Sequence, residues 1–169
     1  MFVILSVTKW NKLIVKDLIV IRLTLKSGDN MYKYIWVFCL TLIFGQYDYS
    51  LEDLNSSSNY YQQNVGTSYF SNKVTLHYFG HFNWGLCSSR FGELNDLFLD
   101  LQSQDLPVQL IGVGKDSHMG SLGNWSNSND APVCADSSPF SIWEEWNASQ
   151  RDLFVLDHEG NVISQMNIS

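Results

Sequence analysis

Residues 73–113 read KVTLHYFGHFNWGLCSSRFGELNDLFLDLQSQDLPVQLIGV, and their pattern predicts a strand, a loop, a helix and a second strand. Residues 74–79 are β-branched and aromatic between Lys73 and Gly80, which is typical of a buried strand. Residues 108–113 have the same character. Between these strands, apolar residues recur every three or four positions and place one apolar stripe on a helix over residues 88–104; they are Phe91, Leu94, Leu97, Phe98 and Leu101. Strand, helix and strand in about forty residues predict a right-handed parallel crossover.

The rest of the chain adds a second, antiparallel unit to this crossover. Residues 115–130 are rich in Gly, Ser and Asn and predict a long loop, and residues 131–136 predict a short edge strand. A short helix with Ile142, Trp143 and Trp146 facing inward is expected over residues 139–146. Residues 152–157 and 161–166 flank a glycine-containing turn and predict a β-hairpin.

The predicted fold is therefore α/β: a central mixed sheet with a βαβ unit followed by a β-hairpin, and helices on both faces. A parallel unit followed by an antiparallel hairpin resembles the thioredoxin plan. That plan usually adds a last helix after the hairpin, whereas this sequence ends at Ser169. Either the helix is absent or the sequence is incomplete at this end.

The charge of the chain is unevenly distributed and argues against a nucleic-acid partner. The 169 residues have a formal net charge of −7, but residues 1–46 hold six of the ten basic and two of the seventeen acidic residues. The remainder therefore has four basic against fifteen acidic residues, a net charge of −11. Such a surface repels phosphate backbones.

The upstream residues predict a leader in front of the domain. Residues 31–46 combine Lys33, an uncharged apolar run of about ten residues and Gly45, which is typical of a secretory signal peptide and too short to span a bilayer comfortably. We expect residues 1–30 to be either sequence translated in frame before the true start at Met31 or a disordered extension. A folded N-terminal extension is the alternative. Residues 47–72 are expected to be an irregular approach segment to a domain over residues 73–169. The mature protein is then secreted or periplasmic, without a stable membrane anchor.

The chemistry is expected at the junction between the first strand and the helix. Cys87 lies at the predicted helix start, where free backbone N–H groups and the helix dipole stabilise a thiolate, and Arg90 follows one turn on. The alternative for Cys87 is a small buried residue that packs the helix.

The chain has two other cysteines, Cys39 and Cys134. Three cysteines are too few for a disulfide scaffold, and their spacing is not that of metal ligands. Strand spacing alone separates Cys87 from Cys134 by about 10 Å, so we expect Cys134 to be structural.

The residues around this junction resemble known redox families. The run from Trp84-Gly85-Leu86-Cys87 to Glu93-Leu94-Asn95-Asp96-Leu97 is similar to the N-terminal domain of selenoprotein P, which has selenocysteine, two residues and cysteine, then Leu-x-Asp-Leu. Residues 151–160 resemble the closing hairpin of that domain. Glutathione peroxidases are also similar, with Gly85, Phe91, Asn95 and Leu97 at matching places. Over the last hundred residues, the chain resembles the redoxin group of bacterial thiol-specific antioxidant and peroxiredoxin-like proteins.

The departures from these families concern the attacking residue. Both comparisons place the selenocysteine or cysteine on Trp84, and tryptophan forms no thiolate. The peroxiredoxin pattern Pro-x-x-x-Thr-x-x-Cys is absent, since Gly80 and Trp84 stand where its Pro and Thr would be. The glutamine of glutathione peroxidases is missing, and Arg151 stands about where thioredoxins have a proline, usually cis, before the hairpin strand.

Two explanations for Trp84 follow from the resemblance. Either the domain has lost its attacking residue, or position 84 is encoded by UGA and is selenocysteine in the natural protein; no other cofactor and no metal are expected. The resemblance implies an exported thiol or selenol oxidoreductase with Trp84 at the attacking position and Cys87 as the resolving or sole active thiol. Its substrate would be a peroxide or a protein disulfide, and its electrons would come from a thiol reductant. The alternative is a catalytically silent thioredoxin-fold binding module.

Overall fold

The computed structural model describes residues 47–169 and, upstream of them, two strands, β1 (Ile21–Leu25) and β2 (Lys33–Val37). These two strands pair in antiparallel register from Ile21 opposite Val37 to Leu25 opposite Lys33. β2 falls within residues 31–46. The rest of the predicted signal peptide and most of residues 1–30 lie outside the described residues, so both assignments stay predictions.

Residues 47–169 contain a five-stranded mixed sheet. Its strand order is β7-β6-β5-β8-β9; β6 is parallel to both β5 and β7, whereas β8 is antiparallel to both β5 and β9. The mixed sheet, the βαβ unit and the closing hairpin are thus confirmed. The elements are β3 (Leu51–Glu52), β4 (Asn64–Val65), β5 (Val74–Phe79), α1 (Gly85–Ser103), β6 (Val108–Lys115), α2 (Gly123–Ser126), β7 (Val133–Asp136), α3 (Ser141–Glu145), β8 (Asp152–Leu156) and β9 (Val162–Asn167).

The sheet is buried on both faces because successive strand residues point in opposite directions. In β5, Leu76 and Tyr78 pack against α1 and α2, whereas Phe79 packs with α3 and the segment before β5. Helices on both faces are therefore confirmed. The predicted inward residues of α3 are buried, with Trp143 6% and Trp146 2% exposed. No helix of the described residues is long and apolar enough to cross a membrane.

The α1 face of the sheet is organised by a stack of aromatic rings. The ring of Trp125 stacks on those of Phe91 and Tyr78, with centroids 4.6 and 5.3 Å apart. This stack lies directly on Gly112 of β6, where a Cβ atom would stand 2.7 Å from Phe91 and 2.9 Å from Trp125. The absence of a side chain at Gly112 is therefore what lets α1 and α2 approach the sheet so closely.

The predicted loop over residues 115–130 is wrong in detail. It contains a 3-10 segment, Asp116–Ser121, and the helical turn α2, which carries the fully buried Trp125. Gly, Ser and Asn have low helix propensity, so the local sequence does not predict this turn. Burial of one large aromatic side chain stabilises it instead, which is a tertiary effect.

The domain begins earlier than the predicted boundary at residue 73. Residues 47–72, expected to be irregular, contain the β3–β4 ladder and belong to the same compact unit as the sheet. Asp53 Oδ1 accepts hydrogen bonds from the N–H groups of Asn55 and Val133, at 2.9 and 3.0 Å. Asn55 Nδ2 donates to the carbonyls of Asn129 and Ala131 at 2.7 and 2.8 Å. These buried polar contacts fasten the segment to the edge strand β7.

Substitution of Gly112 with alanine is expected to lower the free energy of unfolding by about 1–3 kcal/mol, because the added methyl group overpacks the rings of Phe91 and Trp125. Gly120, whose Cβ would meet nothing within 4 Å, provides the matched control. Urea unfolding of Gly112→Ala and Gly120→Ala measures the difference. Equal stability of the two variants would contradict the close approach at Gly112.

The buried His77 predicts a pH dependence of stability. Its Nδ1 lies 2.8 Å from the Tyr49 hydroxyl and its Nε2 2.8 Å from Thr75 Oγ1, and burial lowers the pKa of His77 to about 3. Between pH 6.5 and about 3, the unfolded chain binds a proton that the native protein does not. Stability is therefore fully present above pH 6.5 and falls with pH by up to about 1.4 kcal/mol per unit. In His77→Gln the acid slope of urea-unfolding free energy should be smaller; an unchanged slope would refute this origin.

Candidate functional site

Helix α1 begins at Gly85, three residues before the predicted start, and this places Trp84 at the N-cap. Trp84 has extended backbone angles, φ −108° and ψ 119°, and its carbonyl accepts the N–H of Ser88 at 3.1 Å. Its side chain makes no capping hydrogen bond. An indole N–H donates and does not accept, so tryptophan leaves the first N–H groups of the helix free. This position therefore combines the positive end of the helix dipole with backbone donors.

The two predicted site residues differ sharply in exposure. Trp84 is 51% exposed, whereas Cys87, one turn further along α1, is 0% exposed. Residues three apart on a helix are neighbours. The start of α1 therefore has an exposed position, residue 84, next to a buried position, residue 87. The junction thus brings the predicted residues together, as the sequence indicates.

Two residues that the sequence did not single out form hydrogen bonds with Cys87, one with its thiol and one with its backbone carbonyl. Gln150 Nε2 donates to Cys87 Sγ at 3.3 Å, across 63 positions of sequence, and the Tyr78 hydroxyl donates to the Cys87 carbonyl at 3.4 Å. Burial and the neighbouring Cys87 raise the pKa of Tyr78. The only signal for Gln150 in the sequence is its place directly before Arg151, where the resemblance expects the proline that precedes the hairpin strand.

Arg151 itself adopts a left-handed conformation, with φ 72°. Its N–H donates to the Phe79 carbonyl at 2.7 Å, and its carbonyl accepts the N–H of Ile168 at 3.0 Å. These two bonds connect the loop before β8 to the end of β5 and to the residue just after β9. They hold Gln150 over Cys87.

Cys134 is not a partner of Cys87. Both are free, buried thiols, and they lie in cores on opposite faces of the sheet. Burial, and next the charge of Asp53, raise the pKa of Cys134 well above the usual value. Its predicted burial is confirmed, with Cys134 0% exposed.

The histidines near the site form a pair and not a ligand set. The rings of His81 and His118 are 4.6 Å apart, and the ring of His81 also contacts Trp84 at 6.0 Å between centroids. Burial, then His118 and Lys115, lower the pKa of His81. Within residues 47–169, no group of three or more His, Cys, Asp or Glu side chains is arranged to hold a metal ion.

Comparison with solved structures identifies the fold. Similar structures are a secreted Mycobacterium tuberculosis disulfide oxidoreductase homologous to E. coli DsbE (TM-score 0.54, 15% identity, 72% of this chain and 84% of that one) and a thiol:disulfide interchange protein of the thioredoxin family from Chlorobium tepidum (0.54, 13%, 71% and 82%). A third is the thioredoxin domain of a thiol-disulfide oxidoreductase from Bacteroides vulgatus (0.52, 16%, 70% and 82%). No protein-family model and no curated protein sequence matches the chain. The fold is thioredoxin-like.

Proline at position 151, the residue typical of this fold, is expected to destabilise the protein by about 3 kcal/mol or more. Proline is restricted to φ near −65° and has no N–H, whereas Arg151 has φ 72° and donates to the Phe79 carbonyl. Arg151→Gly, which tolerates positive φ, is the matched control. Urea unfolding compares the two variants; an Arg151→Pro protein as stable as Arg151→Gly would contradict the backbone geometry of this loop.

Proposed function

We propose that this thioredoxin-fold protein is an exported thiol- or selenol-dependent oxidoreductase that acts on protein disulfides. Position 84 is the attacking site and Cys87 is the resolving thiol. The observation that carries the proposal is the pairing of an exposed N-cap position with a fully buried cysteine one turn later.

The exposed position is unusual for a tryptophan. About half of the Trp84 side chain is exposed, and neither a capping bond nor core packing accounts for an indole there. N-cap positions favour small residues with an acceptor atom. A selenolate or thiolate at position 84 would fit both the exposure and the free N–H groups of the helix start. This supports the hypothesis that position 84 is encoded by UGA and is selenocysteine in the natural protein.

The proposed exchange balances over two steps. The anion at position 84 attacks one sulfur of the substrate disulfide, forms a mixed bond and expels the other sulfur as a thiolate. The Cys87 thiolate then attacks residue 84, forms the bond between residues 84 and 87, and releases the second substrate sulfur as a thiolate, which takes up a proton. The substrate gains two electrons, and a thiol reductant later returns two electrons to the oxidised pair. A peroxide is the alternative oxidant in the first step.

Export is supported by two independent features. Residues 31–46 have the pattern of a signal peptide, and one of the structurally similar oxidoreductases is described as secreted. An oxidising compartment is where protein disulfides persist as substrates.

A catalytically silent binding module is the second candidate. With tryptophan at position 84, the exposed apolar side chains at the same junction favour it. Cys87 alone is inaccessible, whereas Trp84 and Leu86 are 51% and 47% exposed. Contiguous exposed apolar surface marks protein interaction sites, and these two side chains stand two residues apart at the start of α1. The codon for residue 84 separates the candidates directly, because UGG excludes selenocysteine.

Trp84→Cys tests whether this junction supports dithiol chemistry. We expect the variant to form a disulfide with Cys87 and to reduce insulin with dithiothreitol as electron donor, at least about tenfold faster than the unsubstituted protein. Leu86→Cys is the matched control, because it adds an exposed thiol beside Cys87 but not at the N-cap. Peptide mass mapping identifies the disulfide, and turbidity follows insulin reduction.

Cys87→Ser in the Trp84→Cys background should retain the first step and lose the second. It is expected to accumulate a mixed disulfide with substrate, detected by mass spectrometry. If Trp84→Cys forms no disulfide with Cys87, or is no more active than Leu86→Cys, the oxidoreductase proposal fails and the binding module is favoured.

A further inference from the structure

A cavity of about 360 Å³ lies between the carboxyl end of β6 and helix α3. Its size is within the range of ligand pockets, and large enough for one or two side chains of a peptide. The residues that line it are Lys115, Pro139, Phe140, Trp143, Glu144, Asn147 and Ala148. The wall thus combines aromatic and aliphatic groups with polar groups in about equal parts, including one cationic and one anionic side chain.

Lys115 provides the positive charge of this cavity. Its Nζ lies 4.6 Å from the ring centroid of Phe140 and 4.5 Å from that of Trp143, so two aromatic rings hold the ammonium group. Lys115 forms no ion pair with any residue of the described segment 47–169. An ammonium group held by rings remains available to an anionic ligand.

The nearby aspartates are occupied by backbone donors. Asp136 Oδ2 accepts the N–H groups of Ile142 and Trp143 at 3.0 and 3.1 Å, and Asp116 Oδ2 accepts the N–H of Ser138 at 3.4 Å. These bonds hold both carboxylates on the backbone around α3. Glu144 is exposed at the rim and forms no ion pair with Lys115 in the structure.

The cavity lies close to the proposed attacking position. The ring of Trp143 in its wall is 5.7 Å from that of His81, and His81 is 6.0 Å from the ring of Trp84. Two ring-to-ring steps therefore connect the cavity to residue 84. An extended peptide advances about 3.3–3.6 Å per residue, so about three to four residues cover the two steps even when these lie in line.

We propose that this cavity binds a carboxylate side chain of the substrate, about three residues from the cysteine that reacts at position 84. Lys115 attracts the carboxylate, while Phe140 and Trp143 contact its methylene groups. This inference rests on the proposed function for the identity of the substrate. The specificity that follows is for disulfides flanked by an acidic residue, which is notable because residues 47–169 are themselves acidic and disfavour anionic partners elsewhere.

Peptide binding tests the cavity without requiring any redox step. The probes are acetylated and amidated Cys-Gly-Gly-Glu and Cys-Gly-Gly-Gln with the sulfur methylated, and isothermal titration calorimetry compares their affinities. We expect the Glu peptide to bind about three- to tenfold more tightly, with the ratio declining as salt is added. Lys115→Met should abolish the preference.

Lys73→Met is the matched control. Lys73 also lies over an aromatic ring, that of Phe70 at 5.5 Å, but it stands at the opposite end of β5 from His81. The substitution removes the same charge from the same chain and should leave the preference intact. Chemical-shift changes of the Trp143 indole on titration of the unsubstituted protein locate the site even if Lys115→Met does not fold.

Three results would overturn the proposal. The two peptides could bind equally, or Lys73→Met could reduce the Glu preference as much as Lys115→Met does. The chemical-shift changes could also lie away from the Trp143 indole. The outcome is separable from that of the proposed function. A Glu preference that depends on Lys115, in a protein whose Trp84→Cys variant performs no disulfide exchange, would retain the carboxylate site and reject the oxidoreductase. Disulfide exchange by the Trp84→Cys variant without a Glu preference would retain the oxidoreductase and reject the carboxylate site.

Discussion

The stacked rings of Tyr78, Phe91 and Trp125 on Gly112 are the contact on which the rest of this domain depends. Their direct contacts pack α1 and α2 against strands β5 and β6. Phe91 lies one turn beyond Cys87 in α1, so the stack determines how deeply the start of that helix is set into the sheet. Aromatic pairs of this kind contribute through their large buried area and their preferred ring geometry.

The candidate site is a consequence of that depth. With the helix start pressed against the sheet, the inner position holds a fully buried cysteine and the N-cap position faces solvent. The loop before β8 then closes over the thiol, where Gln150 contributes a hydrogen bond to the sulfur. An exposed N-cap position and a fully buried thiol therefore stand three residues apart at the same helix start, and the proposed two-step exchange would use this pair.

Much of this arrangement could be predicted because it depends on local periodicity. The alternation in β5, the three- and four-residue spacing in α1 and the glycine-containing turn before β9 each report their own conformation. The turn α2 and the β3–β4 ladder could not be predicted in this way. Trp125 holds α2 in place through contacts with rings that are distant in sequence. Buried Asp53 and Asn55 hold the β3–β4 segment through hydrogen bonds to strand β7 and the residues before it. Neither leaves a periodic signal in its own segment.

The sequence alone determined the order of the five sheet strands along the chain, the main helix between the first two of them, the mixed sheet and the place of Cys87 at a helix start. Short-range hydrophobic patterns and the strand–helix junction are sufficient for these. The tertiary structure alone decided which residues meet there. Gln150 contacts Cys87 across 63 positions, and the rings of His81 and Trp143 bring the Lys115 cavity near residue 84. Such contacts depend on how strands and loops remote in sequence come together in the folded sheet, and no local pattern of side chains specifies that.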